Sequence, residues 1–315
     1  MKNFFVIGDL ILDQYTVGKV NRISSEAPVQ ILDVDNTYYT LGGAANVAHN
    51  LIELGSDSKV RLMGVVGDDV NGSRLLKMLK EKSIDTSLVK IVKGRKTTTK
   101  IRFMAGQKQI LRVDYQQNDT VFDSFMPNIP NDTDVVIFSD YDYGVINRSI
   151  MNHVVANSNA KVIADPKYKN FWQYKDVWCF KPNKRECWQA LCSMNSQASL
   201  ELNEISGDDT SIMIEELRRV INCENILVTE GADGMLLHQK NAGYSKIEVD
   251  AQSVYDVTGA GDTVTSVLAY AVIEGYSINA AAKLANRGAG KVVSQIGNGT
   301  VSFDDIINIE GDKLC

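Results

Sequence analysis

The chain has 315 residues, 44% of them apolar and 23% charged, with a formal net charge of −6. This suits a globular protein of one large α/β domain or two modest ones, and the acidic balance argues against a nucleic-acid binder. Five cysteines (Cys179, Cys187, Cys192, Cys223 and Cys315) without a Cys-x-x-Cys spacing suggest reduced cytosolic thiols, not a disulfide framework or a zinc site.

The N-terminal run FFVIGDLIL is broken early by Asp9 and reads as a first strand, not a signal peptide. No stretch reaches the about 18 apolar residues of a membrane helix, so a cytoplasmic protein without a membrane partner is expected. Buried strands are predicted at 4–7, 60–66, 134–138, 161–164 and 225–229. Helices are predicted near 43–54, 70–82, 146–157, 210–221, 261–274 and 278–293. This alternation implies βα units and a mainly parallel sheet with helices on both faces. Two segments depart from it. Residues 28–43 alternate roughly by two, and 97–115 read as a hairpin turning near Ala105–Gly106–Gln107. Together they suggest either a small extra sheet or an ordinary edge hairpin.

The stretch DVTGAGDT (256–263) places Gly259 and Gly261 where a helix begins, with Asp262 directly after them. The first amides of a helix lack intrahelical partners and its dipole is positive there, so bare backbone at that point suits an anion. An aspartate beside a bound phosphate makes sense as a base for an attacking hydroxyl. Phosphoryl transfer asks mainly for positioning, charge stabilisation and an oriented nucleophile. A dinucleotide-binding G-x-G-x-x-G is a poor fit, because Val264 stands at the third glycine, and no P-loop occurs in the chain. Glycines that only cap or pack the helix are the remaining alternative. His49, His153 and His238 are too scattered to suggest a metal cluster or a catalytic triad.

A second unusual stretch, GGAANVAHN (42–50), again sets two glycines before a helical run. Together the two stretches resemble the signatures of the ribokinase/PfkB carbohydrate-kinase family. VIGDLILD (6–13), VVGDDVNG (65–72), KPNKRE (181–186), VTEGADG (228–234) and LANRGAG (284–290) follow in the expected order, so the likeness spans essentially the whole chain. Within the family the chain looks most like the branch that phosphorylates D-glycero-β-D-manno-heptose 7-phosphate. The carrying stretches are 8–29, 42–51, TTTKIRF (97–103), QILRVDY (109–115), DPK (165–167) and 256 to about 302. That branch usually shows SDYGKGV where this chain has SDYDYGV (139–145), so Asp142 and Tyr143 stand in place of a Gly-Lys pair, and GNGTV (297–301) also varies slightly.

The resemblance implies a ribokinase-like, doubly wound α/β fold: one kinase domain over 1–315 with a small β-sheet lid near 14–41 and 97–116. It also implies ATP-dependent phosphorylation of the heptose 7-phosphate at its anomeric hydroxyl, for ADP-heptose and lipopolysaccharide core synthesis. The nucleotidyltransferase often fused to such kinases would be absent. Asp262 matches the base, and Gly259, Ala260 and Gly261 the turn that receives the developing charge. Asn183 and Glu186 match the N-x-x-E motif that organises Mg²⁺ mostly through water, although the pair also reads as a helix capping box. Thr229, Gly231 and Gly234 match the nucleotide side, and Asn286 its adenine end. Asp256 and Thr258 match a monovalent-cation segment of many relatives, which leaves K⁺ dependence open. Asp13, Gly42, Gly43 and Asn46 match the sugar site. Lys100, Arg102 and Arg112, with Arg22, are the candidate cations for the substrate phosphate, and Lys100 and Arg102 would share a strand face. A homodimer through the lid is a further implication. A sugar kinase of another specificity, a non-catalytic sensor and a nicotinamide dehydrogenase are the alternatives. The presence of Asp262 with the glycine turn and the Asn183/Glu186 pair argues against a sensor.

Overall fold

The computed structural model describes residues 1–119, 121–122, 126–194, 210–249, 257–294 and 299–307. The chain begins with strands β1 (Lys2–Gly8), β2 (Leu10–Ile23) and β3 (Gln30–Gly43), then helix α1 (Ala44–Leu54) and β4 (Ser58–Gly67). Helix α2 (Val70–Glu81) leads to β5 (Asp85–Val92), β6 (Thr99–Ala105), β7 (Lys108–Tyr115) and β8 (Val135–Ser139). Next come α3 (Arg148–Asn157), β9 (Lys161–Asp165), β10 (Cys179–Phe180), α4 (Lys184–Met194) and α5 (Thr210–Val220). Strands β11 (Asn225–Thr229), β12 (Met235–Gln239) and β13 (Gly243–Ile247) precede α6 (Ala260–Ile273), α7 (Ile278–Val293) and the short α8 (Phe303–Ile306).

Nine strands form one sheet in the order β13-β12-β11-β10-β9-β8-β1-β4-β5. Its pairs are parallel from β11 to β5, and only β11–β12 and β12–β13 run antiparallel. The period-2 alternation of β1 divides the core. Phe4 and Val6 pack on one face with Leu51, Leu268 and Ala282 of α1, α6 and α7. Phe5 and Ile7 pack on the other with Ile150, Cys187 and Leu217 of α3, α4 and α5. Each fully buried leucine here contributes roughly 1.5–3 kcal/mol. Helix α6 is buried along almost its whole length, as an all-round apolar helix must be. The strand order grows from β1 outward to β4 and β5 on one side and to β8 through β11 on the other. The crevice at the carboxyl ends of strands beside such a reversal is where open α/β sheets hold ligands.

A second sheet of four strands, β3-β2-β6-β7, stands apart from the first. After Gly8 the chain leaves the large sheet and pairs Leu10 with Gly43, so β2 carries residues straight from the crevice into the small sheet. The predicted hairpin is β6–β7, turning at Gly106, and the predicted alternation at 28–43 is β3. The extra-sheet reading therefore holds over the edge-hairpin one. Strands β2, β5, β10, β12 and β13 and helices α4 and α8 are absent from the predicted strands and helices, although β2 falls largely within the lid expected near 14–41. The two residues of β10 are too few to show any period, and β5 and β13 are the sheet's edge strands, where mixed polar sequence is tolerated. Among the described residues no helix is long and apolar enough to cross a membrane, no group of His, Cys, Asp and Glu is arranged to hold a metal, and Cys179, Cys187, Cys192 and Cys223 are free thiols.

Candidate active site

Most described helices close their first amides with a side chain. Asp69 accepts from Gly72 N in α2, Asn147 from Ile150 N in α3, Asn183 from Glu186 N in α4, Ser277 from Ala280 N in α7 and Ser302 from Asp305 N in α8. Helices α1 and α6 differ. Each follows a glycine, Gly43 at φ 58° and Gly259 at φ 80°, with no side-chain cap. These are the two glycine stretches singled out in the sequence, and both glycines occupy the left-handed region that side chains disfavour. The α6 turn is tight, since Ala260 N approaches Val257 O at 3.3 Å. Among the described residues, a Cβ built on Gly261 would meet Lys181 Nζ alone, at 3.9 Å.

Asp262 sits in the first turn of α6, 4% exposed. Asn46 Nδ2, from the first turn of α1, donates to its Oδ2 at 2.8 Å, and the Tyr141 hydroxyl donates to its Oδ1 at 2.9 Å. Burial pushes this carboxyl up to about 7, with the Asp165 charge adding to the rise. The Asn46 and Tyr141 hydrogen bonds and the Lys181 charge oppose it. A carboxylate oriented on both oxygens and titrating near neutrality suits proton abstraction.

The small sheet presents one face to this point. Register pairs Asp13 with Lys100, and Lys100 with Asp114; two residues on, Tyr15 pairs with Arg102, and Arg102 with Arg112. Lys100 and Arg102 do share that face. Arg102 Nη1 is ion-paired with Asp13 Oδ1, both side chains being largely buried. A Cβ on Gly42 would fall 2.2 Å from Asp13 Oδ2, so this carboxylate position demands glycine there. Lys100 Nζ lies 4.9 Å from the centre of the Tyr141 ring and 6.0 Å from that of Tyr143, within cation–π range. Burial lowers its pKa, and the Asp13 charge partly offsets this. Arg112 pairs with Asp114 at 2.9 Å on the same sheet, whereas Arg22 lies exposed near the sheet's far end beside Asp33, at 3.4 Å.

The other predicted residues follow the carboxyl ends of β10 and β11. Asn183 bridges to Thr229, and Thr229 N donates to Pro182 O at 3.1 Å. Asn183 and Glu186 form the reciprocal cap of α4: Glu186 N donates to Asn183 Oδ1 at 2.8 Å and Asn183 N to Glu186 Oε2 at 3.2 Å. Lys167 Nζ reaches the other Glu186 oxygen at 2.9 Å. Gly231 (φ 63°) has no neighbour among the described residues within 4 Å of where a Cβ would stand, while Gly234 is bare because Ile247 O would lie 2.1 Å from its Cβ. Asn286 is turned to the Glu248 carbonyl at 2.6 Å. Thr258 precedes the α6 turn, and Asp256 lies outside the described residues. In sheet order β11, β10, β9, β8, β1, these ends run from Thr229 through Asn183, Asp165 and Tyr141 to Asp9 and the small sheet. A cleft of about 660 Å³ between Asn3, Ser58, Arg61 and Asp132 opens at the opposite strand ends, away from all of these groups.

A profile of the pfkB family of carbohydrate kinases matches residues 1–305. The chain belongs to that family. It is a sugar kinase of ribokinase-like fold. The "Bifunctional protein HldE" of Nitratiruptor sp. is 36% identical over 312 residues, covering 97% of this chain and 64% of that protein. This chain thus spans about two thirds of the length of such relatives. Ribokinase from Thermotoga maritima superposes with a TM-score of 0.73 at 16% identity, covering 97% of this chain and 98% of its own. Arabidopsis thaliana ribokinase complexed with ribose and ATP superposes with 0.72 at 17% identity, covering 97% and 98%.

Against this pfkB-family background the Asp142/Tyr143 departure has a structural account. Asp142 has φ 63°, a conformation that suits glycine and that aspartate tolerates, and Lys169 Nζ takes up its charge at 2.9 Å. Tyr143 stacks near Tyr141, with ring centres 6.4 Å apart. Four further site residues escaped the sequence reading of the pfkB motifs: Asp9, Tyr141, Asp165 and Lys181. Asp9, fully buried, accepts from the amides of Tyr141 (2.8 Å), Tyr143 (3.1 Å) and Val145 (3.3 Å) and so shapes the turn that presents Tyr141. Burial first, and Asp140 second, push the Asp9 carboxyl up to about 7. The signal available for Asp9 was a charge inside an apolar strand. Tyr141 and Lys181 stood inside recognisable motifs with nothing to mark them.

Proposed function

We propose that this pfkB-family kinase transfers the γ-phosphoryl of ATP to the anomeric hydroxyl of D-glycero-β-D-manno-heptose 7-phosphate. The carrying observation is Asp262, buried between Asn46 and Tyr141 beside the bare turn at Gly259–Gly261. Asp262 takes the hydroxyl proton, the new oxygen–phosphorus bond forms, the bond to the β-phosphate oxygen breaks, and ADP leaves with that electron pair. The amides at the mouth of α6 meet the charge on the phosphoryl oxygens. Asp13, Asn46 and the backbone at Gly42 and Gly43 orient the sugar. Lys100, Arg102 and Arg112 on the facing small sheet suit a substrate that already carries a phosphate. The resemblance to heptose-phosphate kinases and the HldE likeness support this choice of sugar.

The nucleotide would lie toward Thr229 and Gly231. One carboxylate and one amide, each already accepting from the other residue's backbone N–H and the carboxylate also from Lys167, fit an Mg²⁺ held mainly by phosphates and water, not a protein cage. Asn183 and Glu186 would steady its water shell, and the ion would offset phosphate charge. A cytoplasmic kinase domain spanning 1–315, with the small sheet as lid and as dimer surface, completes the reading, and its product is a 1,7-bisphosphate for ADP-heptose and lipopolysaccharide core synthesis.

The test is ADP release across a panel of free sugars and sugar phosphates, with the product's phosphorus resonances assigned. Heptose 7-phosphate should give the highest kcat/KM and a new anomeric phosphate. Faster turnover of an unphosphorylated sugar would overturn the substrate while leaving the sugar kinase intact.

A further inference from the structure

The cations around the crevice are mostly spent on carboxylates: Arg102 on Asp13, Arg112 on Asp114 and Lys181 on Asp165. Lys100 is different. Among the described residues its ammonium has no hydrogen-bond or ion-pair partner, and it lies instead over two aromatic rings, 4.9 Å from the centre of Tyr141 and 6.0 Å from that of Tyr143. A half-buried ammonium is costly unless something negative faces it. Two π faces meet that need while leaving the three N–H donors unused. Tyr143 is also where this chain departs from the branch it most resembles, so the second ring is a property of this sequence.

The position of Tyr143 is fixed by its backbone. Its N–H donates to Asp9 Oδ2 at 3.1 Å, and its carbonyl accepts from Arg95 Nη2 at 2.6 Å. Arg95 is buried and also donates to the Gln117 and Asp119 carbonyls, at 2.8 and 3.3 Å, which ties the turn to the chain following β7. The next residue, Gly144 (φ 90°), must be bare, because a Cβ there would fall 2.2 Å from Asp119 O. The Tyr143 ring lies 20° from parallel to that of Tyr141. Its phenol faces the charges of the small sheet: burial first, then Asp114 and Asp9, push it up to about 12, with Arg112 opposing. The ring thus stands between the turn after β8 and strands β6 and β7. Tyr141, meanwhile, donates its hydroxyl to Asp262. One phenol therefore separates the base at its edge from the ammonium at its face. A sugar lying along it would meet the base with its reacting hydroxyl and the ammonium with its far end.

We propose that Tyr143 is a specificity-determining residue: with Tyr141 it seats the Lys100 ammonium so that the unused N–H donors meet the phosphate the sugar already carries. Tyr143 acts through Lys100 and is a positioning residue, and its role rests on the reading of the substrate as a sugar phosphate. A tyrosine that merely packed the turn would affect stability, or all sugars alike.

Tyr143→Leu, Tyr143→Phe, Lys100→Met and Tyr143→Leu/Lys100→Met are compared with the unaltered protein. For each, kcat and KM are measured with ATP and either heptose 7-phosphate or the unphosphorylated heptose. Tyr143→Leu should raise KM for the sugar phosphate about 5–30-fold, the scale of a partly desolvated cation–π contact. Its kcat, its KM for ATP and its KM for the free sugar should stay within about threefold. Tyr143→Phe retains the ring and should retain the low KM. Lys100→Met should raise KM for the sugar phosphate by about 10–10²-fold, as for a lost hydrogen bond to a charged group. In that background Tyr143→Leu should add less than about twofold, because both changes remove one contact. In protein labelled with ¹³C-lysine, the Lys100 ε-methylene resonance should lose part of its ring-current shift in Tyr143→Leu and keep it in Tyr143→Phe. Tyr143→Met carries the same tests if the leucine variant does not fold. An equal rise in KM for both sugars, a full leucine effect without Lys100, or an unmoved lysine resonance would overturn the proposal. A preference for the phosphorylated sugar that survives Tyr143→Leu overturns it alone. Lack of that preference in the unaltered protein overturns the substrate reading and the role of Tyr143 together.

Discussion

Helices α6 and α7 are consecutive, packed together and similar in length, yet they begin in opposite ways. Ser277 closes the start of α7 with its hydroxyl, whereas Gly259 leaves α6 without a side-chain cap. The capped helix is built for stability, with an amphipathic face against the core. The uncapped one is buried along most of its length and is anchored by packing, with no side chain closing its first turn. Helix α1 repeats the second pattern at Gly43, and its Asn46 meets Asp262 across the crevice. The two described helix starts that follow a positive-φ glycine without a side-chain cap are thus the two whose first turns meet at Asp262.

Substitutions on the two helices can break that contrast. Asp262→Asn should lower kcat by roughly 10²–10⁴-fold, the scale of general base catalysis, while ATP affinity by calorimetry stays. Turnover within tenfold of the unaltered enzyme would remove the base from α6. Gly261→Ala places a methyl beside the turn that, among the described residues, meets Lys181 Nζ alone, at 3.9 Å. It should cost roughly 10²–10³-fold in kcat, as for a lost oxyanion contact, with little change in melting temperature. A large loss of stability with normal turnover would make that glycine a packing residue, as in a purely structural helix start.

The pH profile sharpens the comparison further. A carboxyl raised to about 7 is protonated, and idle as a base, below that pH. The kcat/KM profile should therefore fall about tenfold per pH unit on the acid side of neutrality. Tyr141→Phe removes a hydrogen bond that holds this pKa down, so the acid limb should move to higher pH. An unmoved limb would detach Tyr141 from the base. The linkage to stability has the opposite sense from an ordinary salt-bridged acid. Asp9 and Asp262 bind protons more tightly folded than unfolded, so stability should fall as pH rises from about 4 to 7. Asp9→Asn should flatten that slope in denaturant titrations. The smallest effect belongs to the capped helix: Ser277→Ala should cost about 1 kcal/mol of stability and leave kcat unchanged.

Local pattern carried a good deal of this molecule. The apolar runs of β1, β4, β8, β9 and β11 and the helical periods of α1, α2, α6 and α7 were readable because each element buries a regular stripe. The glycines at 42–43 and 259–261 were readable because glycine weakens a helix, so a pair of them at its start signals a need for bare backbone. The Asn183/Glu186 reading held both of its meanings open, and the structure displays the cap. Less was visible where strands were short or at an edge, as in β10 and β13.

What the sequence by itself determined was the layered α/β architecture, the two helix starts that lack caps, and an aspartate poised at one of them, since these depend on residues close together in the chain. Only the tertiary structure decided what surrounds that aspartate. Asn46 of α1 and Tyr141 from beyond β8 bond to it, across as many as 216 residues of chain, and the charges of Asp165 and Lys181 bear on it from the ends of β9 and β10. Their meeting follows from strand order at the reversal beside β1, and no local periodicity encodes strand order.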